Sequence, residues 1–279
     1  MFRFSFPWRG GGGRSFCRRL SSLAVEQRLP REGVVLDLTL GDGEHSAALL
    51  ASTGCSVVAT DCDPAAASVI GRLSAEFGPG KFYGEVSLAS GAAGVLRRSG
   101  RRPSTVAVMV DMGPSRRQRE EGGERGLELR VEGRLDGRYC REEGLGLAEV
   151  LESLQQDRLS HILKVYGGVV GAREVAAEVV ERRYLLERVV TTHHLLELLE
   201  RVHTRKGEVW EERGREAAMA NMDRAFLALR RFVNDEVNEI VHAIQLAELV
   251  LEPGECSLDL ITCSSSKTLP ETQLKERNL

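Results

Sequence analysis

The chain has 279 residues, is 42% hydrophobic with a mean hydropathy of -0.21, and carries a formal net charge of -3. It is long enough for one large domain, or a domain with an insertion, around an ample core, and it has no apolar run of the roughly 20 residues that span a bilayer. Its six cysteines, at 17, 55, 62, 140, 256 and 263, have no spacing suited to a metal or a redox pair, so no metal is expected and the thiols read as reduced core residues.

The first 25 residues stand apart. Arg3, Arg9, Arg14, Arg18 and Arg19 carry five positive charges, and no acid appears before Glu26. Phe2, Phe4, Phe6 and Trp8 alternate with polar or small residues, Gly10 to Gly13 break any helix, and Ser15, Ser21 and Ser22 follow. A basic, acid-free, serine-containing start has the composition of an organellar import segment. A basic arm that touches RNA is the competing reading, and one segment can do both. Without these five charges the remainder is acidic, about -8, so any RNA affinity must come from local basic patches that neutralise phosphates.

Residues 34–38 are an apolar, β-branched run that reads as a strand, with Asp37 near its end and a Gly-x-Gly turn at Gly41 and Gly43. A helix is expected over 46–52 and a second strand over 56–60, with Asp61 at its tip. A helix over 64–77 opens on Pro64, a favoured first-turn residue. A less distinct strand lies near 81–86, and another over 105–111 ends in Asp111. The Gly-, Arg- and Glu-rich stretch 112–145 reads as a lid or a linker. Helical i, i+3, i+4 spacing then runs through Leu147, Val150, Leu151 and Leu154, through Ile162, Leu163 and Tyr166, and through Val175, Val179 and Val180. A last strand is expected over 257–263. Strands alternating with helices predict a doubly wound α/β sheet, and the long helical stretch predicts an inserted subdomain, with 26–115 and 233–279 forming the sheet domain and 116–232 the insertion.

A strand, a glycine turn, a helix, then a strand with an acid at its tip is an arrangement that binds an adenosine-containing ligand; a plain βαβ core unit is the alternative. The glycines let the backbone approach the ligand closely, and Asp61 is placed to accept hydrogen bonds from ribose hydroxyls. Two acids, Asp42 and Glu44, flank Gly43, and they would repel the pyrophosphate of a dinucleotide. A sulfonium with an amino group would not be repelled, and Asp37 adds a carboxylate suited to that amine. S-adenosylmethionine is therefore favoured over NAD.

Asp37-Leu-Thr-Leu-Gly-Asp-Gly-Glu-His-Ser46 resembles the Asp-x-Thr-x-Gly-x-Gly-Gly-His-Ser signature of the RsmH/MraW family of small-subunit ribosomal RNA cytosine-N4 methyltransferases, which has mitochondrial relatives. Asp61-Cys62-Asp63-Pro64 is similar to the family's Asp-Arg-Asp-Pro, and Val110-Asp111-Met112-Gly113-Pro114-Ser115 to its Leu-Asp-Leu-Gly-Val-Ser. Glu124-Arg125-Gly126-Leu127, Leu135-Asp136-Gly137-Arg138, Leu163-Lys164-Val165-Tyr166-Gly167 and Phe232-Val233-Asn234 follow in the same order, so the resemblance runs from about 34 to 265. It implies a Rossmann-like methyltransferase fold with a helical insertion, and a donor site of Asp37, Gly41, Gly43, Glu44, His45, Asp61, Asp111 and Gln118. It also implies a partnership with small-subunit rRNA or a precursor of that subunit, with other assembly factors as further partners. No membrane is expected, since no long apolar run is present, and the arginine-rich start points to the mitochondrial matrix. An acceptor near a cytosine amine helps bring its lone pair out of the ring plane, and Asp111 is the expected catalytic residue; a donor-binding or turn-capping acid is its other reading. Ser115 could assist with orientation. Arg116, Arg117 and Arg119, just beyond Asp111, are the expected RNA contacts. Arg97, Arg98, Arg101 and Arg102 form a second basic cluster.

The chain departs from the family pattern mainly on the acceptor side. Glu44 replaces a glycine, the family's His-Pro-Ala-Thr-Arg becomes Ala220-Asn221-Met222-Asp223-Arg224, and its Ser-Phe-His-Ser becomes Thr262-Cys263-Ser264-Ser265. Tyr-Gly-Glu-Glu becomes Tyr166-Gly167-Gly168-Val169. Two functions follow as expectations: an rRNA methyltransferase, or a catalytically silent relative that binds the immature small subunit as an assembly factor.

Overall fold

The computed structural model describes residues 3–4, 33–101, 105–142, 144–205, 212–251 and 257–262. Six strands form one sheet: β1 Arg3–Phe4, β2 Val34–Asp37, β3 Ser56–Asp61, β4 Phe82–Val86, β5 Thr105–Met112 and β6 Ser257–Thr262. Their order is β1-β6-β5-β2-β3-β4, and every pairing is parallel. β2 lies between β3 and β5, so the direction in which the sheet grows reverses there. The crevice past the carboxyl ends of β2 and β5 is thus the switch point at which doubly wound sheets take ligands.

Alternation along the strands splits the core into two layers. Val34, Leu36, Val108 and Val110 pack with Ala92 and Val95 of helix Ala92–Arg98 and with Ile240 and Ala243 of helix Glu236–Val250. Val35, Val57, Ala59 and Met109 pack on the other face, against Leu49 of helix Glu44–Ser52 (α1) and Leu73 of helix Ala66–Phe77 (α2). Being covered on both sides is why β2 and β5 read as near-continuous apolar runs. The register shifts between Val34 and Val35, which pair with Thr105 and Ala107, so Val106 is passed over and joins the same layer as Ala107.

The chain divides into two compact units, and the described residues up to Arg117 together with those from Glu236 onward form the first. Gln118–Asp235 is the second. It holds helices Leu147–Ser153, Gln156–Gly167, Ala172–Tyr184, Thr192–Arg205 and Glu212–Val233 around a core that includes Leu147, Leu163, Val175, Leu198 and Leu229. Gly167 is where two helices meet closely: a Cβ there would lie 2.5 Å from the Arg224 carbonyl and 2.8 Å from Ala228 Cβ. Gly168, at φ 59°, ends its helix, with its N–H bonded to the Lys164 carbonyl and that of Val169 to the Leu163 carbonyl.

Several local expectations shift. α1 starts at Glu44 rather than 46 because Gly43, at φ 76°, turns the chain into the helix and brings Glu44 and His45 into its first turn. α2 starts at Ala66; Pro64 and Ala65 form a preceding turn whose Ala65 N–H bonds Asp63 Oδ1 at 3.0 Å. The stretch after Asp111 is a packed loop, not a linker. Leu127, Leu129 and Leu135 are buried, Arg125 donates to the Tyr139 carbonyl at 3.0 Å, and Asn234 clamps residues 137–139. Cys55 is buried, whereas Cys62 and Cys140 are only half-buried; the other three cysteines lie outside the described residues. So does the amino-terminal segment 1–25 apart from Arg3 and Phe4, which pair with Ser257 and Leu258. Among the described residues no helix is long and apolar enough to cross a membrane.

Candidate active site

Three acids end three adjacent strands: Asp37 closes β2, Asp61 closes β3, and Asp111 stands next to last in β5. Asp37 is buried, and both of its oxygens accept internal bonds. Oδ1 takes the Thr39 N–H at 3.1 Å, and Oδ2 takes the hydroxyl of Ser46, also fully buried, at 2.6 Å. Thr39 in turn accepts the Asp111 N–H on its Oγ1 at 2.7 Å. One chain of bonds thus runs from the first turn of α1 through β2 to the tip of β5.

Asp61 organises the glycine turn from the other side. Its Oδ2 accepts the Gly41 N–H at 2.6 Å and its Oδ1 the Asp63 N–H at 2.8 Å. A carboxylate has about four lone-pair positions, so each oxygen keeps capacity for a ligand hydroxyl. Gly41 and Gly43 have φ of 54° and 76°, and a Cβ on Gly43 would lie 2.8 Å from Val69 Cγ1 of α2. Both backbone conformation and close approach therefore require glycine at 43.

The charge pattern follows from burial. Loss of water pushes the Asp37 carboxyl up to about 7; the Ser46 and Thr39 bonds oppose this, and the charges of Asp61 and Asp111 add to it. Burial also raises Asp61, against its two backbone bonds. Burial lowers His45 below its usual value, leaving a neutral imidazole at pH 7. Such a crevice suits a cation and sugar hydroxyls and is unsuited to a pyrophosphate.

Of the residues expected at this site, Gly41, Gly43, Asp61 and Asp111 come together at the strand tips. Asp37 sits beneath them as a bonded hub. Glu44 is exposed and His45 half-buried on the first turn of α1. Gln118 is buried in the second unit, with its amide donating to the Tyr139 carbonyl at 3.2 Å. Arg117 is engaged within the first unit. Its N–H donates to Asp42 Oδ2 at 3.3 Å, and its guanidinium reaches the Ala65 carbonyl at 3.0 Å and Asp63 Oδ2 at 3.5 Å. Arg116 and Arg119 are exposed. In the other basic cluster, Arg98 grips Glu85 and Arg101 bonds the Val57 and Pro79 carbonyls, while Arg102 lies outside the described residues. Among the described residues no cluster of His, Cys, Asp or Glu could hold a metal ion.

Thr39, Ser46 and Asp63 join the site without having been expected there. A usable signal was present: a buried acid needs polar neighbours to satisfy it, and Thr39 and Ser46 are the hydroxyl residues nearest Asp37 in sequence.

Residues 19–270 match the model of the MraW methylase family. The chain belongs to that family. Among its relatives, it is 34% identical over 229 residues to ribosomal RNA small subunit methyltransferase H of Rhodospirillum rubrum, covering 80% of this chain and 64% of that protein. It is 35% identical over 229 residues to the protein of the same name in Parvibaculum lavamentivorans, covering 81% and 63%. It is 32% identical over 239 residues to the human 12S rRNA N(4)-cytidine methyltransferase METTL15, covering 81% and 56%. The chain thus spans between 56% and 64% of the length of these family members.

Proposed function

We propose that this chain transfers a methyl group from S-adenosylmethionine to the exocyclic N4 of a cytidine in small-subunit ribosomal RNA, and that it does so in the mitochondrial matrix. Family membership supports the reaction class, and the names of the relatives support the substrate. The observation that carries the reading is the set of acids on β2, β3 and β5 around Gly41 and Gly43. Its groups fit a ligand with a positive charge and ribose hydroxyls, since Asp61 is aimed by two backbone bonds and still has lone pairs to offer. The acid-free arginine-rich start supports the location.

S-adenosylmethionine supplies an electrophilic methyl carbon on a sulfonium. Positioning then accounts for most of the acceleration of an in-line displacement. Asp61 would hold the ribose, and Gly41 and Gly43 would admit the backbone close to the ligand. Asp111 would accept a hydrogen bond from the incoming amine, turning its lone pair out of the base plane. It would offset the positive charge that develops on nitrogen as the N–C bond forms and the S–C bond breaks, and would then receive the proton the nitrogen loses. The silent assembly-factor alternative gains no support from the family match or from the names of the relatives. Calorimetry with S-adenosylmethionine, followed by mass spectrometry of rRNA from cells lacking the protein, tests the proposal. Saturable binding and a missing methyl on a small-subunit cytidine are expected. Absence of binding at millimolar ligand would exclude donor-dependent activity.

A further inference from the structure

We propose that Ser46 and Thr39 are positioning residues that make donor binding proton-linked: Ser46 sets the ionisation of Asp37, and Thr39 ties that carboxyl to the backbone of Asp111. This rests on the donor reading above. The geometry is a continuous relay, Ser46 Oγ to Asp37 Oδ2 at 2.6 Å, Thr39 N to Asp37 Oδ1 at 3.1 Å, and Asp111 N to Thr39 Oγ1 at 2.7 Å. Asp37 and Ser46 are 1% and 0% exposed, so water cannot replace either partner.

Two further carboxylates, Asp61 on β3 and Asp111 on β5, act on Asp37, and each raises its hold on a proton. Glu44 and His45 are the other titratable groups on α1, and Asp63 and Arg117 act on Asp61. A cation entering among these acids favours the ionised form of Asp37, so binding below neutrality must expel the proton first. Protons bound to Asp37 and the cationic ligand then compete, and affinity rises with pH until Asp37 is ionised in the free protein. The Ser46 hydroxyl donates to the charged form and eases that ionisation. Removing it moves the change to higher pH without touching any group open to the ligand.

The test uses the full chain, wild type and Ser46→Ala, with calorimetric titration of S-adenosylmethionine from pH 6 to 8.5 in buffers of different ionisation enthalpy. In parallel, the Asp37 carboxyl is followed by carbon NMR in the ligand-free protein. The ligand's own amino group titrates near pH 8, equally for both proteins, so their difference reports the protein. An upward move of about one pH unit in the Asp37 midpoint is expected, the size of one lost charge-assisted bond. Affinity should fall about tenfold at pH 6.5 and stay within about twofold at pH 8.5, with proton release accompanying binding at the lower pH. Thr39→Val should weaken binding at every pH and Thr39→Ser should restore it, since serine keeps the hydroxyl that accepts from Asp111. A loss in Ser46→Ala that is the same at all pH values, or an unmoved Asp37 midpoint, would overturn the proposal and make Ser46 a packing residue only. If wild type binds no S-adenosylmethionine at any pH, the donor reading falls and the linkage falls with it; a binding wild type with an unmoved midpoint sinks the linkage alone.

Discussion

Asp37 is a buried acid whose ionisation costs stability. Its carboxyl is held up to about 7 in the fold against 3.8 as its ordinary value, chiefly by burial. Between those pH values the folded protein keeps a proton that the unfolded chain has lost. Stability therefore falls as pH rises through this window and is flat above it, a penalty of about 4 kcal/mol when complete. Asp37→Asn keeps the shape, can accept from Thr39, and can donate to Ser46, yet has no charge to bury. It should stabilise the ligand-free protein by up to about 4 kcal/mol at pH 8, and by clearly less at pH 5. Urea unfolding at the two pH values measures this, and a gain independent of pH would mean that burial of charge is not its source. Asp61 behaves differently because it remains able to receive a ligand. Asp61→Ala should cost about 1.5–3 kcal/mol of S-adenosylmethionine affinity, the range for hydrogen bonds to a charged group. An unchanged dissociation constant in calorimetry would place the ribose elsewhere.

Elements differ in how far local sequence announces them. β2, β3 and β5 were legible because strands covered on both faces must be apolar throughout, and their terminal acids mark where the cover ends. The start of α1 was displaced by two residues because Gly43 acts through its positive φ rather than through a capping side chain. The loop after Asp111 was the harder case. Its Gly, Arg and Glu content suggests exposure, yet Arg125 is buried against the Tyr139 carbonyl and Asp136 grips Arg138 through both oxygens. Composition cannot reveal which charged side chains find partners that are distant in sequence. In the same way, composition does not show that the Arg117 guanidinium lies 3.5 Å from Asp63, more than fifty residues earlier. Asn234 is the clearest example. Its side chain accepts from the Tyr139 N–H at 2.7 Å and donates to the Gly137 and Arg230 carbonyls at 2.8 and 2.9 Å. Asn234→Ala removes these three bonds, while the Arg230 carbonyl keeps the N–H of residue 234 at 3.2 Å, and should lower stability by about 2–3 kcal/mol, with faster amide exchange at 137–139 as the local signature. Unchanged exchange there would show that the loop is held by its buried leucines alone.

At the scale of the whole molecule the question is how an acidic protein would meet an anionic substrate. The five amino-terminal arginines can first serve as an address: residues 1–30 fused to a fluorescent reporter should direct it to mitochondria, and a cytosolic reporter would remove that claim. For RNA, attraction must come from cations that reach the surface. Arg117 bonds Asp63 and the Ala65 carbonyl. Arg116 and Arg119, on the short helix Arg116–Glu120 that follows β5, are exposed. Their planar donor forks suit phosphate oxygens. Replacing Arg116 and Arg119 together by Glu should weaken association with small-subunit rRNA and reduce its salt dependence, by about 0.7 in the logarithmic slope for each phosphate of a single strand that is no longer neutralised. S-adenosylmethionine binding should remain nearly unchanged. Arg117→Ala keeps the backbone bond to Asp42 but loses the side-chain contacts to Asp63 and the Ala65 carbonyl, so it should disturb the donor site through Asp63 more than it lowers the salt slope. Filter binding across a salt series, paired with donor calorimetry, separates the two classes. Were the Arg116 and Arg119 reversal to leave both the affinity and the slope intact, this helix would be an ordinary solvated face, and the cations that meet the RNA would have to lie elsewhere on the chain.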